Sequence, residues 1–161
     1  VEIQKAMNVT KEKVSAHIRW LIRRDMEEVL AMEQVCFEIP WSEENFLHAL
    51  RDRNVIGMIA EIGEEIAGFV IYELHKEKLH LLNFAVLPKY QGCSVGTQLI
   101  DRLKLKLSSA MRNKIFLETR ESNLIAQLFF KANGFVAFKV KDNYYDDGET
   151  AYCFKYKLED K

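Results

Sequence analysis

"LHLLNFAVLPKYQGCSVGTQLI", residues 79–100, joins a strand-like apolar run to a helical one through a loop of small residues. Leu79–Val86 is rich in aliphatic and aromatic side chains and reads as a strand. Leu99, Ile100, Leu103, Leu107 and Ala110 then recur at the spacing of one helix face. Between them, Gly92, Ser94, Gly96 and Thr97 keep bulk away from the backbone. The first N–H groups of a helix lack intrahelical acceptors, and its dipole favours an anion. Such a junction therefore suits a phosphate, although an ordinary strand-to-helix turn has the same pattern.

The flanking chain supplies the other elements. Alternation of Ile18, Trp20 and Ile22 in "HIRWLIRR" predicts a half-buried strand. Asp25 and Glu28 fit a capping box for a helix presenting Val29, Met32 and Cys36. Pro40 breaks the chain, Ser42 is a good N-cap, and Phe46, Leu47 and Leu50 form the apolar stripe of a second helix. Three strands follow over "VIGMIAEIG", "EIAGFVIYELHKEK" and "KLHLLNFAV", turned at Gly63-Glu64-Glu65 and at "HKEK". After the opening segment come a strand, "KIFLETR", and a helix, "SNLIAQLFFKANGF". That helix points Ile125, Leu128, Phe129 and Ala132 inward and stops at Gly134. "FVAFKVK" and "AYCFKYKL" are the last strands, joined through "DNYYDDGE". The order β-α-α-β-β-β-α-β-α-β-β predicts an α/β fold, a mixed, mostly antiparallel sheet with flanking helices. Order alone names no function.

At 161 residues the chain has the length of one domain with a real core. Residues 17–161 are assigned to that domain, and 1–16 to an N-terminal extension or cloning remnant. A net charge of −1 argues against a nucleic-acid surface driven by overall charge. Cys36, Cys93 and Cys153 lack CxxC or Cys/His spacing, which points to free thiols in a reducing cytoplasm. Cys93 reads as a solvent-side loop residue. His17, His48, His75 and His80 are scattered without ligand spacing, so no metal is expected. No apolar run approaches the roughly 20 residues of a membrane span, so no membrane partner is expected.

With these residues placed, the chain resembles the Gcn5-related N-acetyltransferase (GNAT) superfamily over about residues 17 to 158. The signature Q/R-x-x-G-x-G/A is matched by Gln91-Gly92-Cys93-Ser94-Val95-Gly96, preceded by Val86-x-Pro88-x-Tyr90. Within the superfamily it is most similar to the RimI-type ribosomal-protein alanine N-acetyltransferases. "FEIPWSEENF" (37–46), "LETRESNLIAQLFF" with "NGF" (117–135) and "NYYDDGETAY" (143–152) carry that closer likeness.

The resemblance implies the GNAT fold and acetyl transfer from acetyl-CoA to the α-amine of a protein N-terminus, an alanine of a small-subunit ribosomal protein. It implies that Gln91, Gly92, Cys93, Ser94, Val95, Gly96 and Thr97 bind the pyrophosphate. It also implies that main-chain groups of Phe84, Ala85 and Val86 hold the pantetheine arm and the oxyanion, for which ordinary core strand is the rival reading, and that Asn123 contacts CoA. Glu118 falls at the position of the general base; an ion-paired strand glutamate is its rival reading, and helix capping is that of Asn123. Phe130 falls where the family has a tyrosine that protonates the departing thiolate. On the acceptor side, Phe37, Pro40, Trp41, Tyr144 and Tyr145 are candidates to wall a groove for the peptide N-terminus, with core packing as their rival reading. Ser94 replaces a signature glycine, at a cost of roughly 1–2 kcal/mol if its φ is positive. A small-amine or lysine acceptor and a non-catalytic CoA-binding module are the alternative functions. Oligomeric state is left open.

Overall fold

Continuous apolar runs over residues 55–62 and 65–74, and period-two burial over 78–86 and 114–120, build the centre of the sheet. A computed structural model describes residues 12–159. Its elements are β1 (His17–Trp20), α1 (Met26–Cys36), α2 (Glu43–Arg51), β2 (Val55–Ile62), β3 (Glu65–Leu74), β4 (Lys78–Val86), α3 (Val95–Lys104), β5 (Lys114–Arg120), α4 (Leu124–Ala132), β6 (Val136–Lys141) and β7 (Ala151–Lys157). Single 3-10 turns lie at Arg23–Asp25 and Pro88–Tyr90. The strand order is β1-β2-β3-β4-β5-β7-β6. β4 and β5 are parallel, whereas β1 with β2, β5 with β7 and β6 with β7 are antiparallel. Among the described residues no helix is long and apolar enough to cross a membrane.

The described chain divides into two compact units. The first runs to Ile71 and includes Asn83–Asp101. Val29, Met32, Phe46, Ile59, Phe69, Val70, Leu99 and Ile100 form its core. Gly68 permits a close strand approach, since a Cβ there would stand 3.0 Å from the Ala85 carbonyl oxygen. Several side chains depart from the sequence reading. Trp20, Ile22 and Leu47 are exposed, because β1 ends at Trp20 and α2 packs chiefly through Phe46. Asp25 precedes α1 without capping it. Its carboxylate takes a two-pronged bond from Arg19, at 2.8 and 2.9 Å, and the Ile22 N–H at 2.8 Å. Glu28 instead accepts the Ile66 N–H at 2.9 Å.

The second unit comprises Tyr72–Leu82 and the chain from Arg102 onward. Leu79, Leu81, Leu103, Ile115, Leu117, Phe130 and Phe135 are buried in it. α3 ends at Lys104, earlier than the apolar spacing predicts; Leu107 still tucks inward, but Ala110 is exposed. In α4, Ile125 and Ala132 are exposed and Phe130 is buried. The cause is the helix end. Gly134 (φ +87°) donates to the Lys131 carbonyl, and the Phe135 N–H donates back to the Phe130 carbonyl at 3.0 Å. This paired stop sets the Phe135 ring 5.2 Å from Phe130 and rotates that face of the helix inward.

Candidate active site

In the first unit, Gln91-Gly92-Cys93-Ser94 leads from β4 and its 3-10 turn into α3. Gly92 (φ +81°) and Ser94 (φ +66°) are both left-handed. The Ser94 carbonyl then accepts the first helical bond, from the Gln98 N–H at 3.0 Å. Val95, Gly96 and Thr97 therefore carry first-turn N–H groups with no intrahelical acceptor, at the positive end of the helix. Ser94 adopts the conformation that costs a non-glycine residue about 1–2 kcal/mol.

The loop is braced from both sides. Gln91 Nε2 donates to the Val86 carbonyl at 3.1 Å. The Cys93 carbonyl accepts the Val14 N–H at 3.1 Å. Gln98 clamps the same segment, accepting the Ala16 N–H at 3.0 Å and donating to the Val14 carbonyl at 2.7 Å. Residues 14–16, set aside in the sequence as extension, thus support the loop; residues 1–11 of that extension lie outside the described residues. Cys93 is buried rather than solvent-facing, so its thiol packs beneath the loop.

Phe84, Ala85 and Val86 close β4. The Phe84 N–H donates to Asn83 Oδ1 at 2.8 Å, Ala85 is buried, and the Val86 carbonyl also accepts from Cys36 Sγ at 3.5 Å. Asn83 Nδ2 donates to Glu33 Oε2 at 2.9 Å, and Glu33 Oε1 accepts the Trp41 N–H at 2.9 Å. Burial pushes the Glu33 carboxyl up, and these two donors pull against it. Glu33 is thus a buried post for the segment between α1 and α2, and its own carbonyl accepts the Phe37 N–H. Trp41 also packs edge-on against Phe46, with centroids 5.1 Å apart.

In the second unit, Glu118 lies on β5 opposite Cys153 of β7, with 15% of its side chain exposed. Its Oε2 accepts from His80 Nε2 at 2.7 Å, and its Oε1 lies 3.6 Å from Lys141 Nζ. Burial pushes Glu118 up, but the His80 hydrogen bond and the attraction of His80 and Lys141 carry it below the usual carboxylate range. It is ionised at neutral pH and able to accept a proton.

Tyr144 and Tyr145 stand beside it, their rings edge-on at 5.0 Å. Lys141 Nζ lies 5.1 Å over Tyr144, and the Arg120 guanidinium 4.0 Å over Tyr145. Burial, followed by the charge of Glu118, raises the Tyr144 phenol, and burial pushes Tyr145 up to about 12. Both keep their protons at neutral pH. Their loop is pinned by Arg120, which donates to Asp147 at 2.9 Å and Glu149 at 3.0 Å. Glu149 also accepts the Ser122 N–H and hydroxyl, at 3.0 and 2.6 Å.

Glu118, Tyr144 and Tyr145 are therefore brought together, as are Phe84–Val86 with the loop. Asn123 and Phe130 are placed otherwise. Asn123 Oδ1 accepts the Ala126 N–H at 3.1 Å and caps α4, and Phe130 sits in an aromatic cluster with Phe129 and Phe135. His80, Lys141 and Arg120 are the neighbours that sequence reasoning missed. Strand parity carries the signal: His80 pairs with Phe116 in the parallel ladder, which sets His80, Phe116 and Glu118 on one face.

Residues 20–135 match the acetyltransferase (GNAT) family. The ribosomal protein bS18-alanine N-acetyltransferase of Haemophilus influenzae is 31% identical over 121 residues, 75% of this chain and 82% of its own. The crystal structure of the ribosomal-protein-S18-alanine N-acetyltransferase from Escherichia coli superposes with a TM-score of 0.80 at 26% identity, covering 91% of this chain and 96% of that one. Arabidopsis thaliana NAA60, solved in complex with acetyl-CoA, shares the fold at a TM-score of 0.76 and 17% identity, covering 89% of this chain and 99% of that one. The chain belongs to the acetyltransferase (GNAT) family and is an acetyl-CoA-dependent N-acetyltransferase.

Proposed function

We propose that the chain transfers the acetyl group of acetyl-CoA to the α-amine of a protein N-terminus, with an N-terminal alanine of a ribosomal protein as acceptor. The observation that carries this reading is Glu118: ionised, mostly buried, and flanked by His80, Lys141 and the paired tyrosines. An α-amine titrates near 7.7–8.0 and loses its proton to solvent readily at neutral pH. Lysine, near 10.4, needs a stronger base than a carboxylate held below its usual range. Glu118 suits the first task, collecting the proton released on attack.

Loop amides from Gly92 to Thr97 hold the pyrophosphate, and the end of β4 orients the pantetheine arm. Tyr144 and Tyr145, beside Glu118, are the acceptor contacts of the second unit, and Phe37 and Trp41 are those proposed for the first. Phe130 donates no proton. A thiol near 8.5 leaves as thiolate at pH 7.5 for only about 1.4 kcal/mol, and a protonated Tyr144 or Tyr145 is a substitute donor. The names of the relatives from H. influenzae and E. coli support the ribosomal acceptor. The free cysteines support a cytoplasmic setting.

The test is a panel of N-terminal peptides, lysine peptides and polyamines offered with acetyl-CoA, read by release of free thiol. Preference for Ala- or Ser-starting peptides is expected. Turnover on polyamines alone, or acetyl-CoA binding without any turnover, overturns the reading.

A further inference from the structure

The hairpin joining β3 to β4 gathers a second set of chemical groups within the second unit. The His75 N–H donates to the Lys78 carbonyl at 2.9 Å, and continuing that antiparallel pairing sets Glu73 opposite His80. Glu73 and His75 are two apart on the chain and share a face. All three side chains therefore converge: one ring nitrogen of each histidine and one oxygen of Glu73 lie within 4.8 Å of one another. The turn is held from outside by Arg112 Nε, which donates to the His75 carbonyl at 2.5 Å, and by the Asn113 N–H on the Glu77 carbonyl at 3.2 Å.

Two further observations point to a ligand. His75 Nε2 is shielded from solvent and faces Glu73 Oε1 at 2.5 Å in a geometry that makes no hydrogen bond. His80 Nε2 donates to the Glu118 carboxylate at 2.7 Å, which fixes the ring and leaves Nδ1 as the nitrogen that Glu118 does not engage. A histidine oriented by a carboxylate on its other nitrogen is the usual state of a metal ligand.

We propose that Glu73, His75 and His80 bind a divalent transition cation of the zinc type, with Glu118 as the outer carboxylate that orients His80. Two histidines and one glutamate, with a fourth position open, form a recognised zinc set. Zinc bonds of about 2.0–2.2 Å at tetrahedral angles set two ligand atoms about 3.3–3.6 Å apart, so binding requires side-chain rotations that separate Glu73 Oε1 from His75 Nε2. Occupancy would tie the metal to the residue that the acetyl-transfer reading uses as base, yet the site itself does not depend on that reading.

The experiment uses the full, untagged chain after chelator treatment, with zinc chloride alone titrated by calorimetry and cobalt(II) by absorption. One ion per chain is expected, with a tetrahedral cobalt spectrum lacking a thiolate charge-transfer band. Glu73→Gln and His75→Asn should each weaken binding at least about tenfold, with circular dichroism confirming the fold. Binding that survives both substitutions, a thiolate band from Cys36, Cys93 or Cys153, or no binding up to about 100 µM zinc overturns the proposal.

Discussion

Ser94 holds φ +66° one residue before α3, where the family signature has glycine. The left-handed well costs a side chain about 1–2 kcal/mol, and glycine returns part of the gain through a freer unfolded chain. Ser94→Gly should therefore raise stability by about 0.5–1 kcal/mol, a rise of roughly 1–4 °C in Tm for a chain of this size. Thermal melts check this, and a fall in Tm would mean that the hydroxyl contributes a contact of its own. The departure from glycine was visible in the sequence, but the sign of φ was not. It depends on how Gly92 (φ +81°) has already turned the chain. Glu118 shows the same division. Its position was legible from the likeness, whereas its partners came from register, since His80 lies thirty-eight residues away.

Element ends account for most departures from the sequence reading. Apolar spacing alone turned Ile125 and Ala132 toward the core, whereas the Gly134 stop and the Phe135 ring select Phe130. Asp25 looked like half of a capping box until Arg19, six residues earlier, claimed both of its oxygens. Such long side-chain bonds outcompete a local cap because a charged pair is the stronger hydrogen bond. Phe130 consequently serves the end of α4, where it is 4% exposed. Phe130→Tyr should lower stability by about 1–2 kcal/mol through the buried hydroxyl while leaving kcat unchanged or raised. Urea denaturation and steady-state kinetics separate the two effects. A large fall in kcat in the folded variant would show that acetyl transfer depends on the phenylalanine itself.

For the whole molecule, element order and sheet class were legible because apolar strand runs and small-residue turns are local signals. The supporting polar network was not, because Glu33–Asn83 and His80–Glu118 join residues fifty and thirty-eight apart, and Arg19 reaches Asp25 from a separate element. These pairs shape the response to acid. The hydrogen bond from Arg19 holds Asp25 below its usual value despite burial. A depressed carboxyl contributes stability above its unfolded value near 3.9 and loses it as pH falls through the folded value. Burial raises Glu33, so its term runs the other way, favouring the fold at low pH and weakening as pH rises past the unfolded value near 4.3. The Asp25 contribution should therefore be lost below about pH 4. Asp25→Asn should cost roughly 2–4 kcal/mol at neutral pH and much less in acid. Melts from neutral to acidic pH check this, and an equal cost at both ends would remove Asp25 from the acid response.

The central chemical claim rests on one carboxylate, and Glu118→Gln isolates it while preserving size and fold. The decisive measurement pairs acetyl-CoA affinity by calorimetry with acetyl transfer to an Ala-starting peptide. Affinity should stay within about twofold while kcat falls at least tenfold, given the 10²–10⁴ range typical of a general base. Undiminished transfer by the folded variant would contradict the account.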